Sequence, residues 1–137
     1  MDLTIELNEY LLVWNMLYGA SLSNEIDLFK KKLYTKFKKE YNFCYKDKQE
    51  ILKYGNDFIP DNDILYNAVF ESPLYITLKK ETIKHKTIIS KCYETNKEVI
   101  DKAIGNVLRL NLPKEIKLYI IHPRFEIKEY VNNYNCM

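Results

Sequence analysis

The stretch that decides the fold is SNEIDLFKKKLYTKFKKEY, residues 23–41, in which large apolar residues recur among lysines. Five of them follow one another at intervals of three or four: Ile26, Phe29, Leu33, Phe37 and Tyr41. This spacing places them on one face of an α-helix, which packs on a core. Ser21, Ser23 and Asn24 are suitable N-caps for such a helix. The sequence therefore predicts an amphipathic helix that continues to Tyr41 and exposes its lysines.

Helices are also predicted on both sides of this stretch. The apolar residues between Ile5 and Tyr18 are dense enough for a largely buried helix, and Gly19 supplies a C-terminal stop. The segment DNDILYNAVFE, residues 61–71, predicts a short helix that follows a turn-rich loop. Pro60 suits either that turn or the first turn of the helix.

Two pairs of residues have the spacing of a capping box, in which a polar residue is followed three positions later by glutamate. Asp47 and Glu50 precede ILKYG, and Thr95 and Glu98 precede VIDKAIGNVLRL. The pattern predicts that one short helix begins at Asp47 and that a longer amphipathic helix begins at Thr95.

The segments LYITLKK and TIISKCY, within residues 74–93, are rich in β-branched side chains, which favours a hairpin of two strands. Ser72 and Pro73 are equally able to start one long helix there. IKLYIIHP, residues 116–123, predicts a strand, and FEIKEYV predicts a last strand or helix. We therefore expect an α+β fold in which residues 1–137 form a single compact domain. Its N-terminal half is expected to be helix-rich, and its C-terminal half to hold a small antiparallel or mixed sheet.

Composition indicates a globular protein of the cytoplasm. The 137 residues are 47% hydrophobic and 29% charged, as is common for one domain. The first ten residues contain acids and no base, unlike a secretory signal, and the apolar run LLVW is too short to span a membrane. The three cysteines are an odd number without a close pair, so we expect reduced thiols. Abundant Lys, Ile, Asn and Tyr have AT-rich codons, which points to an AT-rich bacterium, its phage or another mobile element.

Positive charge is concentrated in residues 28–48, which hold eight lysines against Glu40 and Asp47, a local charge of +6. Because the whole chain is +2, the remainder is −4. Lysines with interleaved tyrosines suit contact with phosphates and stacking on bases, or docking on an acidic protein. An amphipathic helix also needs a polar face, so a simple solvated surface is the alternative. The candidate binding residues on this basic surface are Lys30, Lys31, Tyr34, Lys38, Tyr41 and Lys46.

The segment that follows, residues 49–71, has the opposite charge, with five acids against one lysine. Asp57, Asp61 and Asp63 are its candidate binding residues. Their spacing does not match the calcium loop of an EF-hand, and turns and helix caps around Pro60 explain them without a metal. We therefore predict no metal site and no cofactor here.

Motifs that carry chemistry are missing from the chain. It has no G-x-S-x-G, H-E-x-x-H or C-x-x-C, and its three glycines are too far apart for a phosphate loop. His122 ends the predicted strand, where we expect it to hydrogen-bond to the backbone. The sequence thus favours a non-enzymatic protein that docks on another protein by charge, such as an inhibitory or accessory protein, with tyrosines as anchors. RNA or DNA binding by residues 30–48 is the alternative, and an enzyme without a recognisable motif is a third.

Overall fold

The structure is a computed structural model that describes residues 2–41, 45–108 and 115–125. In chain order these form strand β1 and helices α1 to α5, then helix α6 and strand β2. Their bounds are β1 Asp2–Glu6, α1 Glu9–Tyr18, α2 Asn24–Lys36, α3 Tyr45–Tyr54, α4 Asp63–Phe70, α5 Pro73–Thr95, α6 Lys97–Leu108 and β2 Glu115–Tyr119. A short 3-10 helix, Gly55–Asp57, follows α3. The predicted segment FEIKEYV lies outside the described residues except for Phe125.

The sheet has two parallel strands, β1 and β2, with Ile5 opposite Leu118. A helix-rich α+β fold is confirmed, but the prediction of an antiparallel or mixed sheet within the C-terminal half is wrong. One strand comes from each end of the described chain, and parallel pairing requires a long crossover, which the helices provide. The first residues were predicted as helix because Ile5 continues the apolar run, whereas α1 begins only at Glu9. Asn8 separates the two elements and caps α1 by accepting a hydrogen bond from the Leu11 N–H.

Helix α1 forms the centre of the core, because α2, α3, α4 and α5 all pack against it. Every side chain from residue 11 to residue 17 is buried, including Trp14. This confirms the prediction of a largely buried helix. Ile26 of α2, Ile51 of α3, Leu65 of α4 and Leu78 of α5 complete the same core and are fully shielded from solvent.

Residues 74–93 lie within helix α5, so the prediction of a hairpin there is wrong and the alternative of one long helix is correct. Ser72 caps it by accepting a hydrogen bond from the Tyr75 N–H, and Pro73 occupies the first turn. The β-branched threonines do not break the helix, because Thr77, Thr82 and Thr87 each donate a hydroxyl hydrogen bond to the carbonyl four residues earlier. The local start signal therefore outweighs the weak β propensity of the segment.

The two helices predicted after Asp47 and Thr95 are present as α3 and α6, but neither capping box starts its helix. Asp47 lies inside α3, whose bounds begin at Tyr45, and its carboxylate accepts a hydrogen bond from the Tyr66 hydroxyl at 3.2 Å. Thr95 is the last residue of α5, and its hydroxyl donates to the Lys91 carbonyl. Helix α3 begins two residues before Asp47, and α6 begins at Lys97, after α5 has ended at Thr95.

Among the described residues, none of the helices has the length and apolar character that crossing a membrane requires.

Candidate functional site

Helix α2 presents its predicted face to the core. Ile26 and Leu33 are buried, while Phe29 and Phe37 are partly buried against the same cluster. The helix ends at Lys36, however, and not at Tyr41 as predicted. The next residues form a turn in which the N–H of Tyr41 donates to the Phe37 carbonyl at 3.0 Å. Lys38 and Tyr41 therefore belong to this turn, and the turn returns Tyr41 towards the helix.

The turn brings two of the predicted tyrosines into contact. The rings of Tyr34 and Tyr41 meet edge to face, with their centroids 5.7 Å apart. Tyr41 is held from below because its hydroxyl donates to the Leu17 carbonyl and its ring packs on Tyr18. Burial raises the pKa of the Tyr41 hydroxyl to about 12, so it remains a neutral donor at physiological pH. Tyr34 packs against the fixed Tyr41 ring and is itself 53% exposed.

An open pocket of about 440 Å³ surrounds this pair and is lined by Lys30, Lys31, Tyr34, Thr35 and Tyr41. We call it the tyrosine pocket. Four of the predicted binding residues therefore come together here. The Lys30 ammonium donates a hydrogen bond to the Gly19 carbonyl, which fixes it against the end of α1. Lys31 is exposed to solvent and places its positive charge at the pocket.

Besides Lys36, whose ammonium lies 5.4 Å from the centroid of the Phe37 ring, four lysines along α2 and its following turn are exposed: Lys31, Lys32, Lys38 and Lys39. None of them forms an ion pair with any residue that the structure describes. We call these four lysines the lysine surface. Since an unpaired ammonium keeps its full charge for an incoming anion, the lysine surface and the tyrosine pocket together form the candidate site.

The basic surface covers fewer residues than the range 30–48 that the sequence predicts. Lys46 lies on α3, where its ammonium is 3.5 Å from the Glu50 carboxylate one turn later. Lys48 is fully buried, and its ammonium lies 5.0 Å from the centroid of the Trp14 ring. Because α3 packs on α1, the face that carries Lys48 points into the protein. The prediction that the basic surface extends to Lys48 is therefore wrong.

The acidic candidates are all exposed: Asp57 and Asp61 lie between α3 and α4, and Asp63 is the first residue of α4. Asn62 fixes this segment, because its side-chain oxygen caps α4 and its amide donates to the Glu40 carbonyl at 2.5 Å. The expected helix cap is thus present, provided by the asparagine. Within the described residues, no three side chains of His, Cys, Asp or Glu are grouped as a metal ion would need.

A polar cluster around the buried His122 is not predicted by the sequence. The ring accepts a hydrogen bond from the Arg124 N–H at Nδ1, as expected for a backbone partner, and its Nε2 lies 2.5 Å from the Glu81 carboxylate. The Arg124 guanidinium reaches Glu81 and also Glu25 at the start of α2. Burial lowers the pKa of the His122 imidazole, while the Glu81 carboxylate opposes this shift. No sequence pattern links His122 to Glu81, which lies 41 residues earlier.

This cluster, which we call the clasp, has a structural role. His122 is only 3% exposed, and both of its ring nitrogens already have partners. A general base needs one nitrogen within reach of a substrate proton. The segment that carries the cluster is also bound to the residues just before α2, because the N–H of Leu22 donates to the Arg124 carbonyl at 2.7 Å.

A larger open groove of about 540 Å³ follows the outer side of α5 from Ile83 to Glu94 and includes Leu7. It contains none of the predicted binding residues, and its charged residues have mixed signs, Lys86 and Lys91 against Glu94. A charged partner would therefore meet a weaker field here than at the lysine surface.

No protein-family model, curated protein or solved structure matches this chain. The proposals below therefore depend on the chemistry of the candidate site alone.

Proposed function

We propose that this protein is a non-enzymatic binding protein that docks through the lysine surface on an acidic surface of another protein. The observation that carries the proposal is the set of four exposed lysines that form no ion pair with a described residue, on the helix and turn that also carry the exposed Tyr34. Tyrosine is enriched among the residues that dominate binding energy at interfaces. Complementary charge around such an anchor accelerates encounter and selects the partner.

The chemistry of the tyrosine pocket supports binding rather than catalysis. Among the described residues, its lining offers ammonium and hydroxyl groups but no carboxylate, thiol or imidazole. The Tyr41 hydroxyl already donates to the Leu17 carbonyl, and its raised pKa disfavours the phenolate. A nucleophile or general base needs a reactive form at working pH, which these groups do not supply.

The proposed mode of action is occlusion. A small protein that covers an acidic surface of its partner blocks whatever that surface binds, without any reaction of its own. This is how an inhibitory or accessory protein from a phage or mobile element of an AT-rich genome would act. The rigid support of Tyr34 by Tyr41 favours this role, because a fixed aromatic side chain loses little conformational entropy on binding.

The second candidate is binding of single-stranded RNA or DNA, and the tyrosine pocket is the observation that favours it. The half-exposed Tyr34 ring offers a stacking surface for a base, with Lys31 nearby for a phosphate. If all four lysines neutralise phosphates on a single strand, affinity should fall about fiftyfold as salt rises from about 50 to about 200 mM.

Charge reversal tests the proposal. Lys31→Glu with Lys38→Glu should remove binding of a fluorescent poly-glutamate probe, measured by anisotropy at low salt. Lys84→Glu with Lys91→Glu on α5 is the matched control, since both lysines are exposed and the change in net charge is the same. Retained binding in the first variant, or equal loss in the control, would refute a localised docking surface. Affinity capture with the wild type and the first variant would then identify the acidic partner.

A further inference from the structure

Two patches of opposite charge share a boundary on this molecule. Lys38 and Lys39 lie in the turn after α2, immediately before Glu40, and Asp61 and Asp63 flank Asn62. The Asn62 amide donates to the Glu40 carbonyl at 2.5 Å, so the two segments are joined at this point. We call residues 57–63 the acidic loop.

The charges on the two sides of this boundary do not neutralise each other within one molecule. Lys38, Lys39, Asp57, Asp61 and Asp63 are all exposed, and none forms an ion pair with a described residue. The segments are held by amide and carbonyl groups, and the charged side chains point outward. Each patch thus keeps its charge for a second molecule.

Apolar side chains beside the acidic loop add a reason for contact. Ile59 is 83% exposed at the centre of the loop, and Ile64 is 57% exposed in the first turn of α4. Burial of an isoleucine side chain contributes favourable free energy to association, whereas exposed ion pairs alone contribute little. The two isoleucines could therefore supply the affinity of a contact whose orientation the charges determine.

We propose that two copies of the chain associate face to face about a two-fold axis that runs along this boundary. Rotation about such an axis places the lysines of each copy opposite the acidic loop of the other. An interface of this kind is self-complementary, because every contact occurs twice. The loop is already fixed by Asn62 in the single chain, so little ordering is needed on association.

The dimer uses Lys38 and Lys39, which also belong to the lysine surface, but the inference does not rest on the proposed function. An acidic partner and the acidic loop of a second copy would compete for the same lysines. Self-association would then hold the lysine surface covered until a more acidic partner displaces the second copy.

The proposal is tested by sedimentation velocity of the full chain from micromolar to near-millimolar protein concentration. The runs are made at about 50 and about 500 mM salt, because the screening of charge–charge interactions differs strongly between the two. We expect a concentration-dependent dimer at low salt that dissociates at high salt. Lys38→Glu with Lys39→Glu should be monomeric, and so should Asp57→Lys with Asp61→Lys, since like charges then face each other. An equal mixture of the two variants should form a heterodimer.

Two further variants keep the test independent of folding. Ile59→Asp changes an exposed side chain and should abolish the dimer, while Val99→Asp, at a position on α6 that is 70% exposed, should not. Circular dichroism confirms that each variant is folded. A wild type that stays monomeric at low salt, or charge variants that dimerise as well as the wild type, would overturn the proposal. A monomeric wild type that still binds poly-glutamate would refute the dimer but support the proposed function. A wild type that dimerises but never binds poly-glutamate would support the dimer and refute the proposed function.

Discussion

Replacement of His122 by phenylalanine measures how much the clasp around His122 contributes to the free energy of unfolding. Phenylalanine retains a ring of similar size and its edge-to-face contact with Phe125, whose centroid lies 6.4 Å from that of His122. The substitution removes the acceptor for the Arg124 N–H at 3.0 Å and the partner of the Glu81 carboxylate at 2.5 Å. Glu81 is partly exposed and regains water, so the main loss is the Arg124 N–H bond. We expect the free energy of unfolding above pH 6.5 to fall by about 1–3 kcal/mol.

The pH dependence of this effect has a definite sign. Burial lowers the pKa of the folded-state imidazole below its ordinary value of 6.5, with contributions in the same direction from Arg124 and His85 and opposition from Glu81. Protonation also places a second N–H at Nδ1, facing the Arg124 N–H. The unfolded chain therefore binds the proton more readily, and the stability that neutral His122 provides is lost as pH falls below 6.5. The difference between wild type and His122→Phe should shrink over that range.

Urea denaturation followed by circular dichroism at a series of pH values measures both effects. The comparison of wild type with His122→Phe cancels the titration of groups that the two share. Glu81→Gln is the control, because removal of the carboxylate that opposes burial should lower the His122 pKa further. That variant should lose more stability than the wild type over the same acid range. A His122→Phe protein as stable as the wild type, or a difference that stays constant with pH, would contradict the described clasp.

Three further predictions follow from burial, capping and stacking. Ile26→Ala should lower the free energy of unfolding by about 2–5 kcal/mol because Ile26 is fully buried. Phe37→Ala should lower it by only about 1–2 kcal/mol because Phe37 is partly buried. Equal losses of stability for the two variants on denaturation would contradict the observed orientation of α2. Asn62→Ala should cost about 0.5–2 kcal/mol from the lost N-cap alone, and Asn62→Asp, which keeps the capping oxygen but places a carboxylate oxygen against the Glu40 carbonyl, should recover only part of the loss in the same assay. If single strands bind, Tyr34→Ala should weaken anisotropy-detected binding by about 1–3 kcal/mol without changing its salt slope; a changed slope would argue against stacking.

The elements that were predicted correctly are those with strong local signals. The apolar spacing of α2 identified its core face, and the dense run of α1 identified the centre of the core. The prediction failed where local signals compete. Thr82 and its neighbours favour a strand by propensity, yet hydroxyl bonds to the helix backbone make them compatible with α5. The partner of β1 lies more than a hundred residues away, so no local pattern revealed the parallel pairing.

The candidate site was predicted in part for the same reason. Lys30, Lys31 and Tyr34 share the outer arc of one helix, which the spacing alone reveals. Tyr41 joins them only because α2 ends early and the turn reverses the chain, which no glycine or proline in residues 23–41 announces. Lys48 resembles the other lysines in sequence, and only the packing of α3 on α1 explains its burial.

Docking through the lysine surface is tested most directly by titration of the wild-type protein into fluorescent poly-glutamate and a fluorescent single-stranded oligonucleotide, followed by anisotropy at about 50 and about 200 mM salt. We expect saturable binding of poly-glutamate at low salt that weakens at the higher salt concentration, since four exposed lysines carry the contact. Preferential binding of the oligonucleotide would transfer the role of the lysine surface to nucleic acid. The absence of binding to either polyanion at low salt would contradict the account and leave the lysines as a solvated helix face.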